Sequence, residues 1–252
     1  MLEHFKGDEA FVSRILDDIA LVEMKQTMVT TNFLNPHQQN IIRRIIGNNP
    51  NLKMLFYGGY ENSENKKCII APDYFEINED DFKIIQMKIK YNSKYTKLTH
   101  PDVLGTLMAQ GLKREYYGDI VAFEGDFYFF IDQSIENYLI HHLKKIKNAT
   151  IHLEQSVLEI QNNQEYIMNS FIVSSMRLDK IVASIYKLTR SKAADYIRGG
   201  YVKVNHKIVD EIAYLCNNED IISLKRHGRV KLVDTTRKTK SDNYVVEGYF
   251  YK

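Results

Sequence analysis

The sequence predicts an α+β protein assembled from three small parts, and three observations lead there. Between residues 81 and 155 the hydrophobic pattern switches in the order strand, helix, strand, strand, helix, strand. Residues 177–205 then form two short helical stripes that run into a double glycine and an alternating valine strand. The third observation is electrostatic: residues 176–252 carry 16 Lys and Arg against 9 Asp and Glu, net +7, whereas residues 1–175 carry 18 against 23, net −5. A chain of 252 residues has room for two or three domains. Its 44% hydrophobic and 26% charged content is ordinary for a globular protein. No apolar run approaches the roughly 18–20 residues of a membrane span, and MLEHFKGDEAF lacks a signal-peptide core, so a cytoplasmic protein without membrane contact is expected. Cys68 and Cys216 lie far apart, which fits two unpaired thiols and neither a zinc knuckle nor a disulfide framework.

The first part, residues 1–80, reads as a small α/β unit. From Asp8 to Met28 the spacing of Phe11, Ile15, Ile19 and Val22 makes one apolar helical face, and a shorter helix runs from His37 to Ile46, opened by Pro36 and closed near Gly47. KMLFYGGY and KKCIIAP follow as strands around the polar loop ENSENKK. In the second part, residues 81–160, DFKIIQMKIKY alternates as a strand and residues 100–112 form a helix with Pro101 near its start. DIVAFEGDFYFFI is a hairpin turning at Gly125-Asp126, residues 133–146 are an amphipathic helix, and ATIHLEQ is a last strand. This is the split βαβ order of ferredoxin-like, RRM-like domains, some of which stack RNA bases on an open sheet face. Tyr128 and Phe130 alternate there with Phe127, Phe129 and Ile131, so one set could face outward. An RNP1 string is absent, and cover by the domain's own helices accounts for the aromatics.

The polar run at Gln161–Glu165 marks the next boundary, and the third part is expected over residues 174–252. Leu178, Ile181, Val182 and Ile185 follow the i, i+3, i+4, i+7 rule, with Ser174 or Ser175 as cap and Arg177, Asp179 and Lys180 off the stripe. A second helix, with Ser191 as the expected N-cap, packs through Ala193, Ala194 and Ile197 and stops at Gly199-Gly200. Val202 and Val204 point inward, Lys203 outward, and Asn205-His206 turns the chain. This arrangement leaves Arg177, Lys180, Arg190, Lys192, Arg198, Lys203 and Lys207 on the exterior, and a helix start at Ser191 offers N–H donors to a phosphate. Tyr186, Tyr196 and Tyr201 are the few aromatics among them, so phosphate and shape contacts to RNA are expected to outweigh stacking. Lys113 and Arg114, leaving the end of the 100–112 helix, are further candidates for phosphate contact.

RLDKIVASIYKLTRSKAADYIRGGYVKVNHKIV resembles the S4 RNA-binding domain through Arg177, Leu178, Asp179, Arg190, Ser191, Ala194, Ile197, Gly200, Val202, Val204 and Asn205. Thr189, His206 and Asn218-Glu219-Asp220 depart from the usual Ser, Gly and Gly-Asp. Upstream, KLTHPDVLGTLMAQGLKREYYGDI resembles a signature of YlmH-type proteins, matched at Thr99, His100, Asp102, Leu104, Gly105, Leu107, Gly111, Lys113, Arg114, Glu115, Gly118, Asp119 and Ile120. That resemblance implies a non-enzymatic, ribosome-associated monomer of Gram-positive bacteria. Its implied partners are large-subunit rRNA, peptidyl-tRNA and an alanine-tailing quality-control factor, with Arg177 and Arg190 gripping the RNA backbone. An assembly or division-linked adaptor using the same face is the alternative.

Enzymes that carry an S4 domain need motifs missing from this sequence. There is no HIGH or KMSKS string, no G-x-G-x-x-G or P-loop, no G-x-S-x-G or H-E-x-x-H, and the RLD lacks the context of a pseudouridine synthase. YGGY and RGGY read as turns or helix ends, and His141-His142 lacks ligands at metal spacing. No cofactor is expected. An RNA-modifying activity would have to rest on His100 with Asp102, or on Asp119.

Overall fold

A computed structural model of the chain describes residues 5, 7–160 and 166–251, and its contacts divide the chain into two compact units, residues 1–162 and 163–252. The boundary expected at Gln161–Glu165 lies outside the described residues.

In the first unit, α1 (Glu9–Lys25) buries Val12, Ile15 and Val22, and ends where Gln26 turns left-handed at φ 48°. After β1 (Val29–Thr30), α2 (Pro36–Ile46) opens with an Asn35–Gln38 capping box and has Pro36 in its first turn. β2 (Leu52–Tyr57) and β3 (Lys67–Pro72) pair antiparallel, and β1, too short to register in the sequence, flanks β3 on its other side. β3 is therefore central, and all six of its residues are buried.

The next elements are β4 (Ile84–Tyr91), α3 (His100–Met108), β5 (Tyr117–Phe123), β6 (Asp126–Asp132), α4 (Glu136–His142), β7 (Lys145–Ile146) and β8 (Ala149–Gln155). The sheet order β5-β6-β4-β8, all antiparallel, is the ferredoxin-like arrangement, with β7 added at one edge. Thr99 and Asp102 form the capping box of α3. α4 stops four residues short of the expected end because the backbone leaves the helix at Leu143, and Lys145–Ile146 folds back on Ala149–Thr150 through a turn at Lys147, φ 52°.

Both faces of β6 are buried. Phe127, Phe129 and Ile131 sit in a core with Val103 and Leu107 of α3 and Leu139 of α4. The opposite face, Tyr128 and Phe130, is not covered by the domain's own helices. It lies in a cluster with Phe33 and Tyr60 from the preceding part, together with Val121 and Ile160. Tyr60 stacks on Phe130 at 5.1 Å and 28°. Gly59, at φ +99°, brings its backbone so close that a Cβ would stand 2.2 Å from the Phe130 ring, and a Cβ at Gly118 would meet Phe33 at 2.7 Å. The face on which RRM-like domains stack bases is closed by the protein itself.

Polar groups pin that closure. Asp119 accepts from Tyr60 Oη at 2.9 Å, from the backbone N–H groups of Glu64 at 2.6 Å and Asn65 at 3.0 Å, and from Asn65 Nδ2 at 2.6 Å. The Lys67 ammonium, 2% exposed, donates to Asp132 at 2.5 Å and to the carbonyls of Phe82 and Lys83. Burial pushes the Lys67 pKa down, and Asp132 opposes that shift.

The second unit is a six-stranded antiparallel sheet with two helices on one face. β9 (Tyr166–Val173) precedes α5 (Leu178–Ile185) and α6 (Arg190–Arg198). β10 (Val202–Val204), β11 (Lys207–Ile208), β12 (Ile221–Leu224), β13 (Gly228–Lys238) and β14 (Tyr244–Tyr251) follow, in the order β11-β10-β12-β13-β14-β9. β9 lies upstream of the start expected at residue 174, yet it pairs with β14 along its whole length, from Tyr166↔Tyr251 to Val173↔Tyr244. Leu178, Ile181, Val182, Ile185, Ala193, Ile197, Val202 and Val204 form the core, as their periodicity requires. Two caps differ from expectation. Arg177, not Ser174 or Ser175, stands in extended backbone before α5, and Thr189 caps α6 by accepting from Lys192 N at 3.3 Å, which puts Ser191 inside the first turn. Asn205 (φ 49°) and His206 (φ 70°) make the turn, and His206 adopts the left-handed backbone usually given to glycine.

Removing the Asp119 carboxylate leaves four donors without their acceptor. Asp119→Ala is expected to lower stability by about 2–4 kcal/mol. Urea unfolding of the two proteins would refute the clamp if their midpoints and slopes coincide.

Candidate nucleic-acid interface

The organising group of the helical face is Asp179. Its position off the apolar stripe predicts exposure, but it is 1% exposed. The carboxylate accepts from Arg177 Nε at 3.0 Å and from Arg190 Nε at 2.8 Å. Burial alone would raise its pKa, but the hydrogen bonds and charges of the two arginines outweigh that and hold it below the ordinary aspartate value. Arg177 comes from the cap of α5 and Arg190 from the start of α6, so one carboxylate brings together guanidinium groups that are 13 positions apart in sequence. The arginine side chains remain 35% and 61% exposed. The turn at residues 212–216 braces this corner, since Leu178 N donates to Tyr214 O and Cys216 N to Met176 O, both at 2.8 Å.

Beside the pair lies a shallow groove of about 450 Å³ lined by Ser174, Lys180, Ser184, Leu188 and Arg190, with Ile172 and Val173 at its β9 end. Lys180 Nζ donates to Ser174 Oγ at 2.8 Å. Lys192 and Ser191 are exposed in the first turn of α6. Cationic and hydroxyl donors around a shallow groove match phosphate oxygens better than base edges. Sequence reasoning passed over Ser174 and Ser184 as site residues and Asp179 as their organiser, because none carries a periodic signal.

The other expected residues stand elsewhere. Arg198, at the far end of α6, is 3.8 Å from Asp195. Lys203 projects from the sheet face opposite the helices, because Val202 and Val204 on either side of it are buried in the core. Lys207 begins β11 at the sheet edge. Asn205 is a structural tie: its Nδ2 donates to Asp220 at 2.7 Å and its Oδ1 accepts from Ile221 N at 2.8 Å, fixing β10 against β12. In the first unit, the Arg114 guanidinium turns inward to the carbonyls of Tyr117 and Gly118, whereas Lys113 stays 79% exposed, 4.0 Å from Glu115.

The carboxylates proposed for an enzymatic alternative have structural partners. Asp102 accepts from Thr99 N and pairs with Lys147 at 2.7 Å, and Asp119 holds its four donors.

Because Asp179 titrates lower in the folded chain than in the unfolded one, its stabilisation is present above about pH 4, the unfolded aspartate value, and is lost as pH falls through the folded value. Asp179→Asn should therefore cost about 1–3 kcal/mol at pH 7, a range that allows for solvent screening of the exposed arginines. The gap from wild type should close in acid. Urea titrations across pH would contradict this if the gap were the same at both ends.

The comparisons with known proteins identify the family. Residues 7–75 match the family described as "YlmH, N-terminal", residues 78–160 "Putative RNA-binding domain in YlmH", and residues 176–222 "S4 domain". The chain is 32% identical over 247 residues to the Bacillus subtilis "Ribosome-associated protein quality control protein P2", covering 97% of this chain and 96% of that one. It also resembles the solved structure of "Cell division protein ylmH from Streptococcus pneumoniae", with 30% identity and a TM-score of 0.52 over 60% of this chain and 92% of that one. With an S4 domain after both YlmH-type parts, the chain belongs to the YlmH family.

Proposed function

We propose that this protein is a non-catalytic RNA-binding factor of ribosome-associated quality control. It binds the large ribosomal subunit that carries a stalled peptidyl-tRNA and supports alanine tailing of the stalled chain. The observation that carries this reading is the Asp179 clasp, which presents Arg177 and Arg190 side by side next to the groove of Lys180 and Ser174. Such a surface suits a folded RNA backbone, where phosphates from two strands converge. Binding is ionic and shape-dependent, and the protein acts by occupancy and positioning. The near-full-length likeness to a relative named for ribosome-associated quality control supports the cellular setting. The net charge of +7 over residues 176–252 supports a polyanionic partner.

The Streptococcus relative is named for cell division, which favours a second reading in which the same face serves a division-linked or subunit-assembly adaptor. RNA crosslinked to the protein in cells with stalled translation separates the two. Crosslinks to tRNA and mature large-subunit rRNA go with quality control, whereas crosslinks confined to precursor rRNA would replace it.

A Lys180→Gln, Lys192→Gln double variant, which leaves the Arg177–Asp179–Arg190 clasp intact, should fold normally by circular dichroism but lose co-sedimentation with large subunits at moderate salt. The slope of log affinity against log salt should become shallower by about one for each phosphate contact removed. Wild-type co-sedimentation by this variant would show that the helical corner is not the binding face.

A further inference from the structure

The opposite face of the second unit's sheet carries a different chemistry. Cross-strand partners share a face, and Lys203↔Ser223, Ser223↔Arg229 and Tyr251↔Tyr166 are paired across β10, β12, β13, β14 and β9. Arg229 and Tyr251 close the row: their neighbours Val230 and Phe250 are paired, and the Arg229 guanidinium lies 4.6 Å from the Tyr251 ring centroid. One row therefore crosses five strands, roughly 19 Å at the usual strand spacing. Next to it runs Lys231↔Tyr249↔Met168. Tyr166 meets Tyr251 edge-on at 5.1 Å and Tyr249 at 6.2 Å, forming a cluster of three rings. The flanking residues Val230, Val246, Val202 and Val204 point to the core on the other side. Tyr166 and Met168 are 41% and 52% exposed.

We propose that this face is a stacking platform for unpaired RNA bases, separate from the phosphate-binding corner on α5 and α6. The chemistry argues for a nucleic acid over other occupants. A tyrosine cluster at one end offers ring faces to bases of any identity, and Lys203 and Arg229 supply cations along the same track for the backbone. The acids near the track, Glu219 and Glu247, are each held by a cation, Lys231 and Arg237, at 3.2 Å. Arg229 is already stacked on a ring, the arrangement in which a guanidinium also receives a base plane. The central RRM-like sheet has its aromatic face closed by Tyr60 and Phe33, so this second sheet offers the stacking surface that the first has lost. The inference rests on the reading of the chain as an RNA-binding factor, and its test separates the two.

The test uses the full-length protein with two probes, a short oligoadenylate and a blunt RNA hairpin with no unpaired tail. Binding is followed by anisotropy and by quenching of tyrosine emission, which is readable because the chain has no Trp. Tyr166→Leu, Tyr249→Leu and Tyr251→Leu are each expected to weaken oligoadenylate binding roughly 5- to 150-fold, the range for one lost base stack. The Phe variants, which keep the ring, should bind like wild type and serve as the control for folding. Hairpin binding should be unchanged in all six and weakened by the Lys180→Gln, Lys192→Gln double variant. If the Leu variants bind oligoadenylate as wild type does, or if wild type does not bind it, the platform is refuted. Retained hairpin binding would then leave the phosphate corner standing. Failure of both probes on wild type would overturn the RNA-binding reading itself.

Discussion

Asp179 has been taken out of water, and the helical face of the second unit is organised by the cations that make this tolerable. An isolated carboxylate at 1% exposure would neutralise itself or unfold its surroundings. Two arginines from two helices prevent that, and in doing so each becomes fixed in direction while its outer edge stays in solvent. A surface arginine ordinarily gives up side-chain entropy when it binds a phosphate. Here much of that ordering happens on folding, so the stability of the domain and the readiness of the proposed binding corner rest on the same atoms. The first unit uses the same logic without exposing the cations. Lys67 with Asp132, and Asp119 with its four donors, lock one part against the next.

That locking decides what the RRM-like domain can do. A ferredoxin-like sheet with helices on one face normally leaves the other for a ligand or partner, and here the occupant is the polypeptide that precedes it. Gly59 and Gly118 are informative in this respect. Each looks like turn punctuation in the sequence, yet each stands where a methyl group would collide with an aromatic ring of the neighbouring part. The cover is therefore a fitted interior, with Tyr60 stacked on Phe130.

Local signals in the sequence were sufficient where the structure is local. The stripe of Leu178, Ile181, Val182 and Ile185, the capped start of α2 at Pro36 and the order of elements through residues 84–155 all follow from periodicity and turn chemistry. What escaped depends on partners distant in the chain. Asp179 sits off the apolar stripe and is buried all the same, because Arg190, 11 positions away on another helix, makes burial possible. The pairing of β9 with β14 joins residues 166–173 to 244–251, and no window along the chain contains both. The covered face of β6 has the same origin: alternation divides its aromatics into two sets, but that the second set is covered, and by Phe33 and Tyr60 rather than by the domain's own helices, depends on residues far away in the chain.

The second unit thus presents two surfaces with different physical dependences, back to back across one sheet. The α5–α6 corner is ionic, so its grip weakens as salt screens phosphates and restores their counterions. The proposed track on the other face joins the rings of β9 and β14 to cations on β10 and β13, so part of its grip comes from ring overlap, which salt affects less than an ionic contact. An RNA that engaged both would need a folded segment ending in unpaired nucleotides, and the sheet between the two surfaces would set their separation. Each surface alone tolerates many sequences, since neither a phosphate nor a ring face encodes base identity. Selectivity would arise from the requirement that duplex and unpaired bases occur together at that fixed separation, a property of RNA architecture rather than of sequence.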